Sequence, residues 1–400
     1  MRRKKWFCFL FTTVLQCLLL FCFSGCALAS TDATAPIVYV YEQGREQGSE
    51  SAAGLADAAL SNREAVLAGL SDYQNIVAEA DALQAELAPA LRDAFAAGSR
   101  IIILGQSGEN RVREYFGLPA RLLPEPEQGD KTALQEKYPH SQVVRTSDCR
   151  LLGQLIYQDA RGVSVTNLWV EDLEDEQLLT RAIERGFSHD FLAASSGLAA
   201  GAAKSADIIW VVPDAASDSY TFTRCYIDES VTLYCAAYNP MDSGEYMFSV
   251  KYRADIEMRG GYYLRDAEIE VRGGSGARNL DYGPEDTDCG PSTSISVGIP
   301  SGIGASFTPG ARLAIEKVGG GLNRRNLVLN YQPRTLAGTH GWESDGMRCE
   351  AHIEAYQPGD SVIGSGSFEF ITHDGRDLPG DSLDEIVYFS DGWLSAFKYY

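Results

Sequence analysis

Between Phe248 and Met258 the chain alternates without a break. Phe248, Val250, Tyr252, Ala254, Ile256 and Met258 are apolar or aromatic, and Ser249, Lys251, Arg253, Asp255 and Glu257 between them are polar or charged. A period of two sends the first set to one face of an extended chain and the second to the other, which no helix can do. The pattern returns at Ala267, Ile269 and Val271, then at Ile295, Val297 and Ile299, and again at Leu327, Leu329 and Tyr331. It continues at Cys349, Ala351, Ile353 and Ala355, and at Phe368 and Phe370. No helical spacing of any length follows Ala206. Residues 207–400 are therefore expected to form an all-β antiparallel sandwich or open barrel of about eight to twelve strands.

Residues 36–192 read differently. Pro36–Tyr41 reads as a strand and Gln43–Ala53 as a loop. Val66, Leu70, Tyr73, Val77, Ala80, Leu83, Leu87, Leu91 and Phe95 recur at three- and four-residue steps. That spacing predicts a helical stripe, bent or split at Pro89 and ended at Gly98. Arg100–Leu104 is a wholly apolar buried strand after its first residue, followed by a turn over Gly105–Gly108 and a helix over Glu109–Phe116 that Gly117 ends. Strand, turn and helix in that order make an α/β unit. Further strands are expected at Val143–Arg145, Leu151–Gln158 and Val163–Val170, with a short helix at Glu176–Phe187. The small-residue run 193–206 reads as a linker, a short alanine-rich helix being the alternative. The expected fold class is α+β with two domains: an N-terminal α/β domain (36–192) followed by an all-β antiparallel sandwich (207–400).

The first residues belong to neither domain. Arg2-Arg3-Lys4-Lys5 precedes an apolar run from Trp6 to Phe23, the pattern of a secretory signal. The run is nearly long enough to be a transmembrane anchor instead. Phe23-Ser24-Gly25-Cys26 resembles the lipobox of bacterial lipoproteins. That resemblance implies removal of residues 1–25, lipid attachment at Cys26, a tether over 26–35, and an exported protein held at a membrane facing the periplasm or cell surface. Roughly 375 residues then remain, enough for two cores.

The chain carries 55 acidic against 34 basic residues, which argues against a nucleic-acid partner. Beyond Cys26 lie Cys149, Cys225, Cys235, Cys289 and Cys349, and in an oxidising compartment disulfides are the first reading. Cys225 and Cys235 flank an expected turn at Asp228-Glu229-Ser230, between strands Tyr220–Tyr226 and Val231–Ala237, where a tight hairpin would set them opposite each other. Cys289 and Cys349 form the other candidate bridge, and Cys149 is left free. No CxxC spacing suggests zinc.

No catalytic constellation emerges. Gly105-Gln106-Ser107-Gly108 lacks the second glycine of a nucleophile elbow, so Ser107 is expected to cap the helix at Glu109. Gly273-Gly274-Ser275-Gly276 and Gly319-Gly320-Gly321 read as hairpin loops rather than phosphate cradles. His140, His189, His340, His352 and His373 are scattered. The acidic clusters at Glu285, Asp286 and Asp288 and at Asp374, Asp377, Asp381, Asp384 and Glu385 lack EF-hand spacing and read as solvated loops. Neither a metal nor a cofactor is expected, and the chain reads as non-enzymatic.

The β-rich half resembles the leukocidin–hemolysin family of β-barrel pore-forming toxins, in particular the branch with an N-terminal pro-domain. The resemblance is carried by Phe248–Glu257 followed by Arg265–Arg272, then Ser294–Ile299, a glycine-rich turn at Ser301–Gly304, and Ala305–Thr308 with Ala311–Val318. Asn326–Tyr331, Cys349–Tyr356 and Gly366–Ile371 follow in the same order. It implies a stem hairpin within Ser294–Val318, stored against the core and later inserted into membrane. Three function classes stand in this order: a lipid-anchored envelope or surface protein binding a protein or glycan partner, a membrane-active pore former, and an enzyme with a site in the interdomain cleft.

Overall fold

A computed structural model describes residues 35–42, 50–105, 108–118, 135–159, 162–188, 210–237, 244–259, 262–283, 287–289, 311–335, 342–343, 347–373, 386–390 and 392–398. Its first strands are β1 (Ile37–Tyr41), β2 (Ala58–Ser61), β3 (Asn75–Glu79), β4 (Arg100–Leu104), β5 (Gln142–Arg145), β6 (Arg150–Asp159) and β7 (Gly162–Val170). Among them lie α1 (Glu50–Leu55), α2 (Asn62–Ala68), α3 (Ala88–Ala96), α4 (Glu109–Tyr115) and α5 (Glu176–Ser188). Strands alone follow: β8 (Trp210–Thr221), β9 (Cys225–Ala236), β10 (Glu245–Met258), β11 (Tyr263–Gly273), β12 (Arg278–Gly283) and β13 (Thr287–Cys289). The last are β14 (Ala311–Gly320), β15 (Asn326–Thr335), β16 (Trp342–Glu343), β17 (Met347–Pro358), β18 (Ser361–His373), β19 (Ile386–Phe389) and β20 (Trp393–Lys398).

The α/β part is a three-layer arrangement around parallel strands β2, β1, β3 and β4. Both faces of this sheet are covered, which is why its strands read as unbroken apolar runs. Val38, Val40, Ile76, Ala78, Ile101 and Ile103 pack with Ala65 of α2, Leu91 and Phe95 of α3 and Val112 of α4. Tyr39, Val77, Ile102 and Leu104 pack on the other side with Ala52 of α1 and Ala182, Ile183 and Phe187 of α5. Ser61 starts α2 with a capping box: its Oγ accepts from Glu64 N at 3.3 Å, and Glu64 Oε2 accepts from Ser61 N at 2.8 Å.

Here the expected long helical stripe fails. Residues 66–95 fold as helix, strand, 3-10 turn and helix, and Val77 sits in β3. A short strand buried on both faces fills every position, so its side chains satisfy a three-to-four spacing by coincidence. Pro89 breaks nothing, because it lies in the first turn of α3, where no N–H is required.

The sandwich is made by two sheets. One runs β12-β17-β10-β9-β8-β7-β6-β4-β3-β1-β2, the other β13-β14-β15-β11-β18-β19-β5, with β16 added to β11 and β20 to β18. Phe248, Val250, Tyr252, Ala254 and Ile256 of β10 face a core shared with Ala267, Ile269 and Val271 of β11, Leu327, Leu329 and Tyr331 of β15, and Phe368 and Phe370 of β18. Where alternation was read among the described residues, the apolar set faces inward. Among those residues no helix follows Ser188.

The expected division at 193–206 falls outside the described residues, but the sheet crosses it. β7 and β8 pair in parallel from Thr166–Ser217 to Val170–Thr221. In the second sheet β5 pairs in parallel with β19. Trp169 stacks on Tyr220 at 6.2 Å, Tyr220 on Phe222 at 6.3 Å, and Phe222 meets Tyr388 edge-on at 4.8 Å. Pro36–Tyr400 groups as one compact unit.

Candidate functional site

The two sheets end side by side at the open edge of the sandwich. β12 is the last strand of the first sheet, held by β17, and β13 is the last of the second, held by β14. The chain passes from one edge to the other between Gly283 and Thr287. β13 and β14 then pair antiparallel, Thr287 opposite Ile315, Asp288 opposite Ala314 and Cys289 opposite Leu313. They are the two legs of a hairpin whose intervening residues are 290–310.

β14 returns to β15 through a tight glycine turn. Gly320 and Gly321 have φ of 71° and 104°, and Asn323 has φ of 59°. A Cβ on Gly320 would sit 2.1 Å from Asn326 O, so the close approach as well as the backbone angle demands glycine. Asn279 of β12 pins the turn, its Nδ2 donating to Gly321 O at 3.2 Å and Asn326 O at 3.0 Å. Lys317 donates to Tyr282 Oη at 3.1 Å. The edge strands of both sheets are thus tied together beneath the hairpin.

The outer face of the first sheet is unusual. In a one-sided sheet Lys251, Arg253, Glu350 and His352 would stand in water, yet all four are more than nine-tenths buried. Strand register sets Lys251 opposite His352, Arg253 opposite Glu350 and Asp255 opposite Arg348. Lys251 Nζ lies 3.0 Å from Glu350 Oε2, Arg348 Nε donates to Asp255 Oδ1 at 2.9 Å, and Arg253 also donates to Asp255. Burial, reinforced by the Lys251 charge, holds the His352 imidazole down to about 4, so it is neutral at physiological pH. Burial and the neighbouring Asp281 raise Glu354 to about 7.

A second polar cluster lies between the sheets. Asp218 of β8 and Glu229 of β9 are direct cross-strand partners, both buried. Tyr220 donates to Asp218 Oδ2 at 2.9 Å, and Tyr252 donates to Glu229. Burial lifts Asp218 to about 7. A shallow cleft of about 140 Å³ opens where β7 and β8 splay apart, lined by Ser164, Asp214, Ser217 and Arg113 of α4. It is well below the volume of a drug-sized ligand site.

The sequence-derived site residues fare unevenly. Cys225 and Cys235 do not flank a hairpin: both lie in β9, opposite Met258 and Phe248 respectively, ten residues apart in one extended strand. At about 3.3 Å per residue they are some 30 Å apart and cannot bond to each other. The real turn is Phe222–Arg224, and Asp228-Glu229-Ser230 is mid-strand. Cys149, Cys225, Cys235 and Cys349 are buried, and no disulfide joins them. Desolvation raises the thiols of Cys149, Cys225 and Cys349. Cys289 is placed by its backbone alone, in β13.

Cys26, Ser107, His189, His340, the stem residues 294–308 and the acidic cluster 374–385 lie outside the described residues. Gly108, not Ser107, is the N-cap of α4. Gly319–Gly321 is a hairpin loop, as expected, between the paired strands β14 and β15, whereas Gly273–Gly276 is not: it carries the chain from β11 of the second sheet to β12 of the first. Among the described residues no three His, Cys, Asp or Glu side chains are grouped to hold a metal ion, and no helix is long and apolar enough to cross a membrane. Sequence reading missed the buried outer face, although Lys251, Arg253, Glu350 and His352 stood in the alternation; what hid them was the assumption that polar means solvated.

No family model matches the chain, and no curated protein matches it. Among solved structures, a pore-forming protein is 10% identical, over 48% of this chain and 90% of its own, with a TM-score of 0.26. Clostridium perfringens delta-toxin is 10% identical over 46% and 86%, with a TM-score of 0.25. The Clostridium perfringens NetB toxin in its membrane-inserted form is 10% identical over 48% and 95%, with a TM-score of 0.23.

Proposed function

We propose that this chain is a non-enzymatic, membrane-active protein that delivers the hairpin rooted in β13 and β14 to a lipid bilayer. The observation that carries the reading is the coincidence of that root with an uncharged run. From Cys289 to Ala311 there is no Asp, Glu, Lys or Arg, in a chain that is 22% charged. Within the run Ser294, Ser296 and Gly298 alternate with Ile295, Val297 and Ile299. Small polar on one side and apolar on the other is the pattern of a strand between lipid and lumen. A hairpin turning at Pro300–Gly304 would leave uncharged arms of 11 residues (289–299) and 7 residues (305–311), of which the first has the length a tilted strand needs to cross the hydrocarbon layer and the second would have to continue past Arg312.

Export and tethering through Cys26 belong to the same proposal, since a lipid anchor would hold the hairpin close to its target surface. The test is dye release from liposomes of varied headgroup and sterol content, with ring-sized oligomers sought in parallel. Leakage by the full chain that is lost in Val297→Asp, with an unchanged thermal melt, supports the reading. On the lipid side of a strand an Arg or Lys costs about 2–4 kcal/mol at the bilayer centre, and an Asp less, still enough to disfavour insertion. No leakage and no oligomers across all lipid mixtures would overturn it. The anchor is tested by Cys26→Ala, which should move the protein out of the membrane fraction.

A further inference from the structure

The cover on the first sheet changes between β7 and β8. Over β7 lies α4, whose Val112 packs with Val163 and Val165. Over β8 lies the second sheet: Ala216 faces the sandwich core, and Asp214, two residues earlier on the same side, reaches Ser395 of β20. At this seam the two strands part. Their ladder begins at Thr166–Ser217, whereas among the described residues Val163–Val165 and Asp214–Ala216 are paired only along their far edges, to β6 and β9. Alternate main-chain N–H and C=O groups of both strands therefore face the gap instead of each other. The gap is the cleft of about 140 Å³, to which α4 contributes Arg113 and β8 contributes Asp214.

Two opposite charges thus line one small space. Arg113 Nη1 lies 3.4 Å from Glu109 Oε1, and the Arg113 side chain is 17% exposed. Asp214 Oδ2 accepts from Ser395 Oγ at 2.5 Å and from Ala396 N at 3.3 Å. Glu109, Ser395 and Ala396 do not line the cleft, so these contacts fix the two side chains from behind. An anion alone would meet Asp214, and a cation alone would meet Arg113. A ligand that carries both charges one carbon apart satisfies both, through charge-assisted hydrogen bonds to its carboxylate and from its ammonium. Size points the same way. At about 30 Å³ per water the cleft has room for about four or five waters, which suits the ammonium, α-carbon and carboxylate of an amino acid. The same groups supply the donors and acceptors that open strand edges require.

We propose that the cleft between β7 and β8 binds the zwitterionic head of a small α-amino acid, its carboxylate on Arg113 and its ammonium on Asp214. The site belongs to the described sheet and stands independently of hairpin insertion. The probes are glycine and L-alanine, titrated against the full chain in neutral detergent, with melting temperature and calorimetric heat as readouts. Both should raise the melting temperature saturably, since a ligand of the native state stabilises it by mass action. Acetate, methylammonium and glycinamide, each lacking one of the two charges, should not do so at the same concentration. Arg113→Gln and Asp214→Asn should each weaken glycine binding about tenfold or more. Arg278→Gln, which removes an ion pair to Glu245 on the exposed edge strand β12, should leave it unchanged.

Because Arg113 and Asp214 also hold their neighbours, selectivity is the readout that separates binding from structure. The wild-type chain should prefer glycine to glycinamide about tenfold or more, and Arg113→Gln should bind the two alike. If that variant fails to fold, Arg113→Lys serves instead: it keeps the charge, loses the fork and should still weaken glycine severalfold. The serine headgroup of a lipid carries the same carboxylate and ammonium, and vesicles with and without phosphatidylserine separate the two sources. Vesicle binding that needs this lipid and is competed away by free alanine identifies a headgroup; a response to the free amino acid with no such vesicle binding identifies a soluble one. No response to glycine and alanine, an equal response to glycine, acetate and methylammonium, or wild-type glycine affinity in both charge variants would overturn the proposal.

Discussion

The tightest test of the two-sheet packing is at Gly364. This residue of β18 lies against β10 of the opposite sheet, and a Cβ built on it would fall 2.6 Å from Val250 Cγ2 and 2.9 Å from Cγ1. Both atoms belong to a fully buried side chain with no room to retreat. Overpacking of this kind costs about 1–3 kcal/mol, against which the stiffer unfolded chain returns about 0.4–1 kcal/mol. Gly364→Ala should therefore destabilise by about 1–2 kcal/mol. Val250→Ala removes two buried methyl groups, about 1.6 kcal/mol at 0.8 kcal/mol per group, plus a cavity term. In the double variant the new methyl occupies the space the valine leaves. The two losses should then fail to add, with a favourable coupling of at least 1 kcal/mol. Urea melts of the four proteins measure this directly from the midpoints and slopes. Additivity within about 0.5 kcal/mol would mean that the sheets do not meet at this pair.

The remaining predictions concern buried charge. Asp218 titrates near 7 in the folded chain against 3.8 unperturbed, so the native state binds its proton more tightly; the resulting stability is full below pH 4 and lost as pH rises to about 7. Asp218→Asn, which keeps an acceptor for Tyr220, should flatten this slope and make the protein more stable than wild type at pH 8 but not at pH 4. Chemical melts across pH 4–8 decide it, and parallel wild-type and variant curves would refute the assignment. Glu350→Gln should cost about 3–5 kcal/mol, because it takes away the buried carboxylate that neutralises Lys251 and faces Arg253, leaving Asp255 as the carboxylate on Arg253; a loss under 1 kcal/mol would show that water reaches them.

What the sequence revealed follows from how each element is buried. Strands with one face in a core declare themselves by alternation, and β10, β11, β15, β17 and β18 were legible for that reason. Helix α5 was legible because its one buried face repeats at Leu178, Ala182, Ile183 and Phe187. β3 was not, since Ile76, Val77 and Ala78 are all buried and carry no phase. The β8–β9 turn was misplaced by the acidic triplet Asp228-Glu229-Ser230, which resembles a loop. In the fold Asp228 is paired by Arg185 and Glu229 by Tyr252, partners distant in sequence. Of the hairpin root, β14 was legible in Ala311–Val318, but β13 was not, because Asp288 was read as part of a solvated acidic loop; the place of the root at the shared edge of both sheets is a property of topology alone.

That topology changes what the N-terminal part can be. A pro-domain joined only by a linker would leave once the linker is cut. Here three separate links besides the chain hold residues 36–188 to the sandwich. The β7–β8 pairing runs through the first sheet. The β5–β19 pairing runs through the second, beside which Lys137 Nζ and Tyr138 Oη donate to Glu369 Oε1 at 2.9 and 2.7 Å. Arg185 of α5 reaches β9 and β10 through Asp228 and Glu257. A protease cut between Ser188 and Trp210 should therefore leave both fragments together on gel filtration in native buffer, and separate them only in denaturant. If the cut alone releases a folded N-terminal fragment, the shared sheet is not the structural unit, and any membrane activity that appears on release would belong to a restrained precursor. If the fragments stay together, the insertion proposed for the hairpin would have to take place with the α/β layer still attached, as a fixed part of the scaffold that holds β13 and β14 at its edge.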